Sequence, residues 1–96
     1  MKFKYDICII GGVGHVGLPL GLLFKSKGKS VVLYDVDIKN IEKVNNGEMP
    51  FIEIGSEKYL KRKTKNFFAT NEKKYISQSK FLIISIGTPI DKNLKP

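Results

Sequence analysis

Four short runs of apolar residues punctuate the chain, with helix-like and polar stretches between them. "YDICII" (5–10) and "SVVLYDVD" (30–37) are rich in Ile and Val and read as buried strands. "NFFAT" (66–70) reads as a short third strand. "KFLIISI" (80–86) is apolar without alternation, the pattern of a strand covered on both faces in a parallel sheet. Between the first two strands, Val16, Leu18, Leu20, Leu22, Leu23 and Phe24 mark a helix over about 15–27. Lys25 and Lys27 suit its negative end, and Gly28 suits the position just beyond it. Ile38, Ile41 and Val44 recur at helical spacing in 37–50, with Asn46-Gly47 and Pro50 as stop signals. A short polar helix is expected over 56–63 and another over 71–78, the latter capped by Thr70 or Asn71.

Strands therefore alternate with helical segments. Parallel neighbours need such crossovers, and the crossovers are right-handed. The expected class is α/β: an open, doubly wound parallel sheet with helices on both faces and strand order 3-2-1-4, the first part of a Rossmann arrangement. Residues 1–96 read as the N-terminal part of such a domain, ending after about four strands. The fourth strand then lacks its next crossover and is expected to expose an apolar face or an open edge, which favours self-association into a homo-oligomer.

Composition narrows the function classes. The chain has 96 residues, of which 42% are hydrophobic, enough for a core. No run approaches the ~20 apolar residues of a membrane helix, and no signal peptide is recognisable. One cysteine (Cys8) and one histidine (His15) make neither a disulfide nor a Cys/His zinc cluster. Cys8 sits inside an apolar run and reads as packing. These features fit a reducing cytoplasm. The net charge of +8 invites a nucleic-acid reading. The excess lies in "EKYLKRKTK" and "NEKKY", where Tyr59 and Leu60 read as the inner face of an amphipathic helix and not as stacking platforms. A solvated lysine face is the expectation, with a positive potential that attracts anionic small molecules.

The chemistry lies in "IIGGVGHVGLPLG" (9–21). Gly12, Gly14 and Gly17 fit G-x-G-x-x-G directly after a strand and at the start of a helix. Gly12 is expected to turn the chain off the strand. Gly14 lets a pyrophosphate approach the backbone, and Gly17 lets the helix pack closely. The backbone N–H groups of His15 and Val16 fall at the positive end of that helix. Asp35 follows about 20 residues on, at the end of the second strand, where an acid accepts from ribose hydroxyls and disfavours a 2′-phosphate. NAD is therefore expected over NADP. Asp37 reads as the N-cap of the next helix. His15 offers its backbone and is not a catalytic base. Glu53 is assigned to holding the loop after "MPFI".

"GGVGHVGLP" (11–19), "YDVD" (34–37), "KVNNGEMPFIEIG" (43–55) and "ISIGTPID" (84–91) together resemble the N-terminal NAD-binding domain of the UDP-glucose/GDP-mannose dehydrogenases. The resemblance covers nearly the whole chain. It implies an NAD-dependent nucleotide-sugar 6-dehydrogenase that oxidises the C6 alcohol of a UDP-sugar, UDP-glucose or a UDP-N-acetylhexosamine, to a carboxylate with two NAD. By position it also implies that Gly87 and Thr88 line the cofactor after the fourth strand. Two departures stand out: Asn40 where relatives often have arginine, and "EIGS" where they usually read Glu-Pro-Gly-Leu. The family's catalytic cysteine, lysine and acids, with its sugar-nucleotide domain, lie downstream, so the 96-residue piece is expected to bind NAD weakly and to catalyse nothing alone. A non-catalytic nucleotide-sensing module of the potassium-transport type, a hydroxyacid or acyl-CoA dehydrogenase, and a basic nucleic-acid-binding protein are the alternatives.

Overall fold

A computed structural model describes residues 2–52, 55, 57–61 and 66–85. Eight elements follow in order: β1 (Tyr5–Ile10), α1 (Gly17–Ser26), β2 (Val31–Tyr34), α2 (Ile38–Asn45), α3 (Glu57–Lys61), β3 (Phe67–Thr70), α4 (Lys74–Ser77) and β4 (Ser79–Ile84). The strands form one parallel sheet in the order β3-β2-β1-β4, which is the expected topology.

Register divides the side chains between two faces. Ala69, Leu33, Ile9 and Ile83 form one row across the sheet, and Phe67, Val31, Ile7 and Phe81 a second row on the same face. Leu18 and Leu22 of α1, Ile41 and Val44 of α2 and Leu60 of α3 close over that face to make the main core. Phe68, Val32, Cys8 and Leu82 form a row on the other face, where the Tyr5, Phe68 and Tyr75 rings meet edge to face. Ile9, Leu33, Val32 and Cys8 are fully buried, the three aliphatic side chains each contributing about 1.5–3 kcal/mol of transfer free energy.

Both long helices end as their residues dictate. Gly28 (φ +81°) lies just past α1; its N–H donates to the Lys25 carbonyl, and the Lys29 N–H donates to Phe24. Gly47 (φ +80°) repeats the pattern after α2, with bonds from Gly47 to Val44 and from Glu48 to Lys43. These paired bonds are Schellman closures, and only a residue tolerant of positive φ completes them without strain. At the start of α2, an Asp37 carboxylate oxygen accepts from the Asn40 N–H at 3.1 Å, the expected N-cap.

Two expectations shift, and a third is seen in part. The helix expected over 71–78 shortens to a single turn. Its N-cap is Lys73, which makes no side-chain cap, while the Thr70 hydroxyl accepts from the Glu72 N–H and turns the chain just before it. The helix expected over 56–63 is described only as Glu57–Lys61. The fourth strand is not covered on both faces: Phe81, Leu82 and Ile84 are 60%, 52% and 73% exposed, on opposite sides of an edge strand. The alternative expectation, an open apolar edge, is the one seen among the described residues.

Candidate dinucleotide site

The glycine stretch forms a turn held almost entirely by backbone bonds. Gly11 carries the sharp change of direction, at φ +84°. The N–H groups of Gly11 and Gly12 both donate to the Tyr34 carbonyl at the end of β2, at 2.8 and 3.0 Å. The Val13 N–H donates to a carboxylate oxygen of Asp35 at 3.2 Å, and the Gly14 N–H to the Gly11 carbonyl at 3.2 Å. α1 then begins with no side-chain cap. Among the described residues, the N–H groups of His15, Val16 and Gly17 donate to no protein acceptor. Three consecutive donors thus stand open at the positive end of a helix, suited to an anionic oxygen.

The three fingerprint glycines divide the work differently from the sequence expectation. The turn expected at Gly12 is made by Gly11. A methyl group at Gly12 would lie 2.7 Å from the Leu33 backbone and 2.9 Å from the Ile9 carbonyl, so Gly12 is there because β2 passes against it. A methyl group at Gly17 would strike the Gly11 carbonyl and come within 3.0 Å of Gly12, so Gly17 seats the helix on the turn. Close approach of helix to sheet belongs instead to Gly21, where a methyl group would lie 2.7 Å from the Leu33 side chain. Gly14 alone of the three has room: its nearest neighbour would be the Gly11 carbonyl at 3.4 Å, and its φ is not in the left-handed region.

Gly14 faces a cleft of about 340 Å³ at the carboxyl ends of β1, β2 and β4, shared with Ile10, Gly11, Tyr34, Asp35, Val36 and Ser85. β1 lies where the chain reverses its direction across the sheet, with β2 on one side and β4 on the other. Ligands of open α/β sheets bind at such a switch point. Asp35 sits one residue past β2. One carboxylate oxygen accepts from Val36 and Asp37 N–H groups at 2.8 and 3.2 Å, and the other from Val13. A carboxylate has about four acceptor sites, so it retains capacity for a hydroxyl donor. The bond to Val13 was not legible in the sequence; it ties the acid to the turn.

The His15 ring is stacked on Phe51, with centroids 4.2 Å apart and planes inclined by 24°. Spacing gave no sign of that contact. Val16 is 69% exposed. Cys8 is buried, and burial pushes its thiol up from the ordinary range, as packing requires. Gly87, Thr88 and Glu53 lie outside the described residues. A second cleft of about 270 Å³, between Val44, Asn45, Gly47, Leu60 and Phe67, lies at the opposite sheet edge and has no acid among its described lining residues.

A parallel sheet with a glycine turn at its switch point, open helix N–H groups and an acid ending the second strand defines a dinucleotide-binding domain. Residues 5–96 match the NAD binding domain of the UDP-glucose/GDP-mannose dehydrogenase family, and the chain belongs to that family. It is 37% identical over 93 residues to the UDP-N-acetyl-D-glucosamine 6-dehydrogenase of Salmonella typhi, covering 97% of this chain and 21% of that protein. It is 33% identical over 87 residues to the GDP-mannose 6-dehydrogenase of Pseudomonas aeruginosa, covering 88% and 20%. A crystal structure of a ternary complex of GDP-mannose dehydrogenase from P. aeruginosa superposes with a TM-score of 0.85 at 32% identity, over 94% of this chain and 21% of that one. A UDP-glucose dehydrogenase from Pyrobaculum islandicum shares the fold, with a TM-score of 0.82 over 92% and 21% of the two chains at 24% identity. The chain thus spans about a fifth of the length of these relatives. NAD is the cofactor of the matched domain.

Proposed function

We propose that the chain is the NAD-binding part of a nucleotide-sugar 6-dehydrogenase that oxidises the C6 alcohol of a UDP-sugar, UDP-glucose or a UDP-N-acetylhexosamine, to a carboxylate. NAD, when bound, would supply the hydride acceptor, with two NAD molecules used in succession for each sugar. Everything described in this chain concerns binding and orientation. Gly14 and the N–H groups of His15, Val16 and Gly17 receive the pyrophosphate. Asp35 accepts from the adenosine ribose hydroxyls and repels a 2′-phosphate. Gly12 acts indirectly, by letting the turn lie against β2. Gly87 and Thr88 are assigned to the cofactor by position in the family motif.

The observation that carries this reading is Gly14. Packing demands glycine at positions 12 and 17, but not at 14, where the backbone faces the cleft instead of a neighbouring element. A ligand approaching the main chain supplies the missing reason. The substrate class rests on the family and on the UDP-N-acetyl-D-glucosamine 6-dehydrogenase named above. The described residues supply the cofactor cradle, and the 96-residue chain by itself is proposed to be inactive.

Isothermal titration with NAD and NADP tests the reading. NAD binds, NADP binds more weakly, and Asp35→Ala weakens NAD by about tenfold or more, the loss of a charge-assisted bond of roughly 1.5–3 kcal/mol. Binding of NAD that is indifferent to Asp35, or a preference for NADP, contradicts it. No NADH is expected from the 96-residue chain with UDP-glucose or UDP-N-acetylglucosamine.

A further inference from the structure

We propose that Phe51 is a positioning residue for the phosphate-binding turn, acting through the ring of His15. This rests on the reading of that turn as the NAD pyrophosphate site and adds a residue from a different part of the chain.

The segment that offers open N–H groups has few anchors. Gly14 and Gly17 have no side chains, and Val16 projects into solvent with 69% of its surface exposed. The backbone is tied by the Gly14 N–H to Gly11, by the Leu18 N–H to the Gly14 carbonyl and by the Leu20 N–H to the Val16 carbonyl, all bonds local to the turn and helix start. The His15 imidazole, unlike Val16, packs on another part of the fold. That contact is a near-parallel stack on Phe51, which is half-buried and packed against the main core together with Met49. Gly47, at φ +80°, turns the chain out of α2 so that this segment can reach back. Phe51 therefore touches both the core and His15. It transfers the rigidity of the core to the backbone that carries the open donors.

Consequences follow from population arithmetic. If the stack is lost, the turn samples conformations in which the N–H groups of His15, Val16 and Gly17 do not converge. Apparent affinity then falls by the fraction of time spent in the binding geometry. An aromatic pair of this kind supports a change of about two- to tenfold. Reciprocally, NAD should order the 48–52 segment, because linkage runs both ways.

The test has one arm without ligand and one with it. In the unliganded protein, nuclear magnetic resonance reads the ring-current shift of the His15 side-chain protons and the backbone order of residues 14–17. Phe51→Leu keeps an apolar side chain on the core; it should abolish the shift and raise the mobility of His15, Val16 and Gly17, while the β-sheet amides keep their dispersion. Phe51→Tyr should restore both. In a calorimetric titration, Phe51→Leu should weaken NAD about two- to tenfold, Phe51→Tyr should restore it, and His15→Ala combined with Phe51→Leu should be no worse than either alone. Absence of the ring-current shift in the wild type, or unchanged order at 14–17 in Phe51→Leu, overturns the proposal; so does an additive double variant. Loosening of the turn in a protein that binds no NAD supports the positioning role of Phe51 and overturns the cofactor reading instead. If Phe51→Leu unfolds, His15→Ala alone decides, since that side chain is exposed: unchanged order at 14–17 and unchanged NAD affinity overturn the proposal.

Discussion

A methyl group added at Gly12, Gly14 or Gly17 meets three different environments. At positions 12 and 17 it strikes backbone, which cannot move aside cheaply. Gly12→Ala and Gly17→Ala should each cost about 1–3 kcal/mol in chemical denaturation. At position 14 there is room, so Gly14→Ala should keep stability or raise it by a few tenths of a kcal/mol through the unfolded chain, yet weaken NAD binding. The spacing of the three glycines was legible in the sequence; this division of labour was not. It depends on where Leu33 of β2 lies, and no local pattern encodes a contact with a neighbouring strand. The same holds for His15, whose backbone role was legible and whose stack on Phe51 was not. Cys8 is simpler. Its thiol is buried and pushed up, so a disulfide reagent should react slowly with the native protein and rapidly after denaturation.

Strand edges differ in how they are finished. At β3, the Asn45 side-chain amide donates to the Ala69 carbonyl at 2.9 Å and accepts from the Ala69 N–H at 2.8 Å. One side chain from α2 thus stands in for a neighbouring strand. Asn45→Leu should destabilise by about 1–3 kcal/mol, because it strands two partly buried backbone groups, as read from urea unfolding. At the other end of the strands, Asp6 and Ser30 clasp β1 to the start of β2 with bonds of 2.8 to 3.1 Å. The Ser30 backbone N–H, with its hydroxyl, holds the Asp6 carboxyl below its ordinary value of 3.8. Stability linked to a lowered carboxyl is fully present above 3.8 and is lost as pH falls through the lowered value. Ser30→Ala should remove part of that acid-side loss, a small effect because Asp6 is exposed. Helix starts and stops set by Asp37, Gly28 and Gly47 were legible because caps are local. The cover of β4 was not: "FLIISI" has the composition of a central strand, but burial depends on what lies beside it.

At the scale of the molecule, one end of the sheet is closed by α2 through Asn45, while the other presents Phe81, Leu82 and Ile84. An apolar edge of this kind invites pairing. The 96-residue chain should associate in light scattering as its concentration rises, and Leu82→Lys should reduce that association without changing the melting transition much. The net charge of +8 opposes association at low salt, so added salt should strengthen it. Of the basic residues, Lys61 and Lys74 pair with Glu57 and Glu72 on short exposed helices or beside them. Among the described residues, no helix is long and apolar enough to cross a membrane. What organises the whole is the switch point, where β1, β2 and β4 end on the turn that carries Gly14 and on Asp35. Titration of the isotope-labelled chain with NAD, followed amide by amide, tests that placement most directly. The amides of Gly11–Gly17, Asp35 and Val36 should shift saturably, while those of Val44, Asn45 and Phe67, at the opposite cleft, stay still. Saturable shifts confined to the opposite cleft, or no shifts at any NAD concentration, would contradict it.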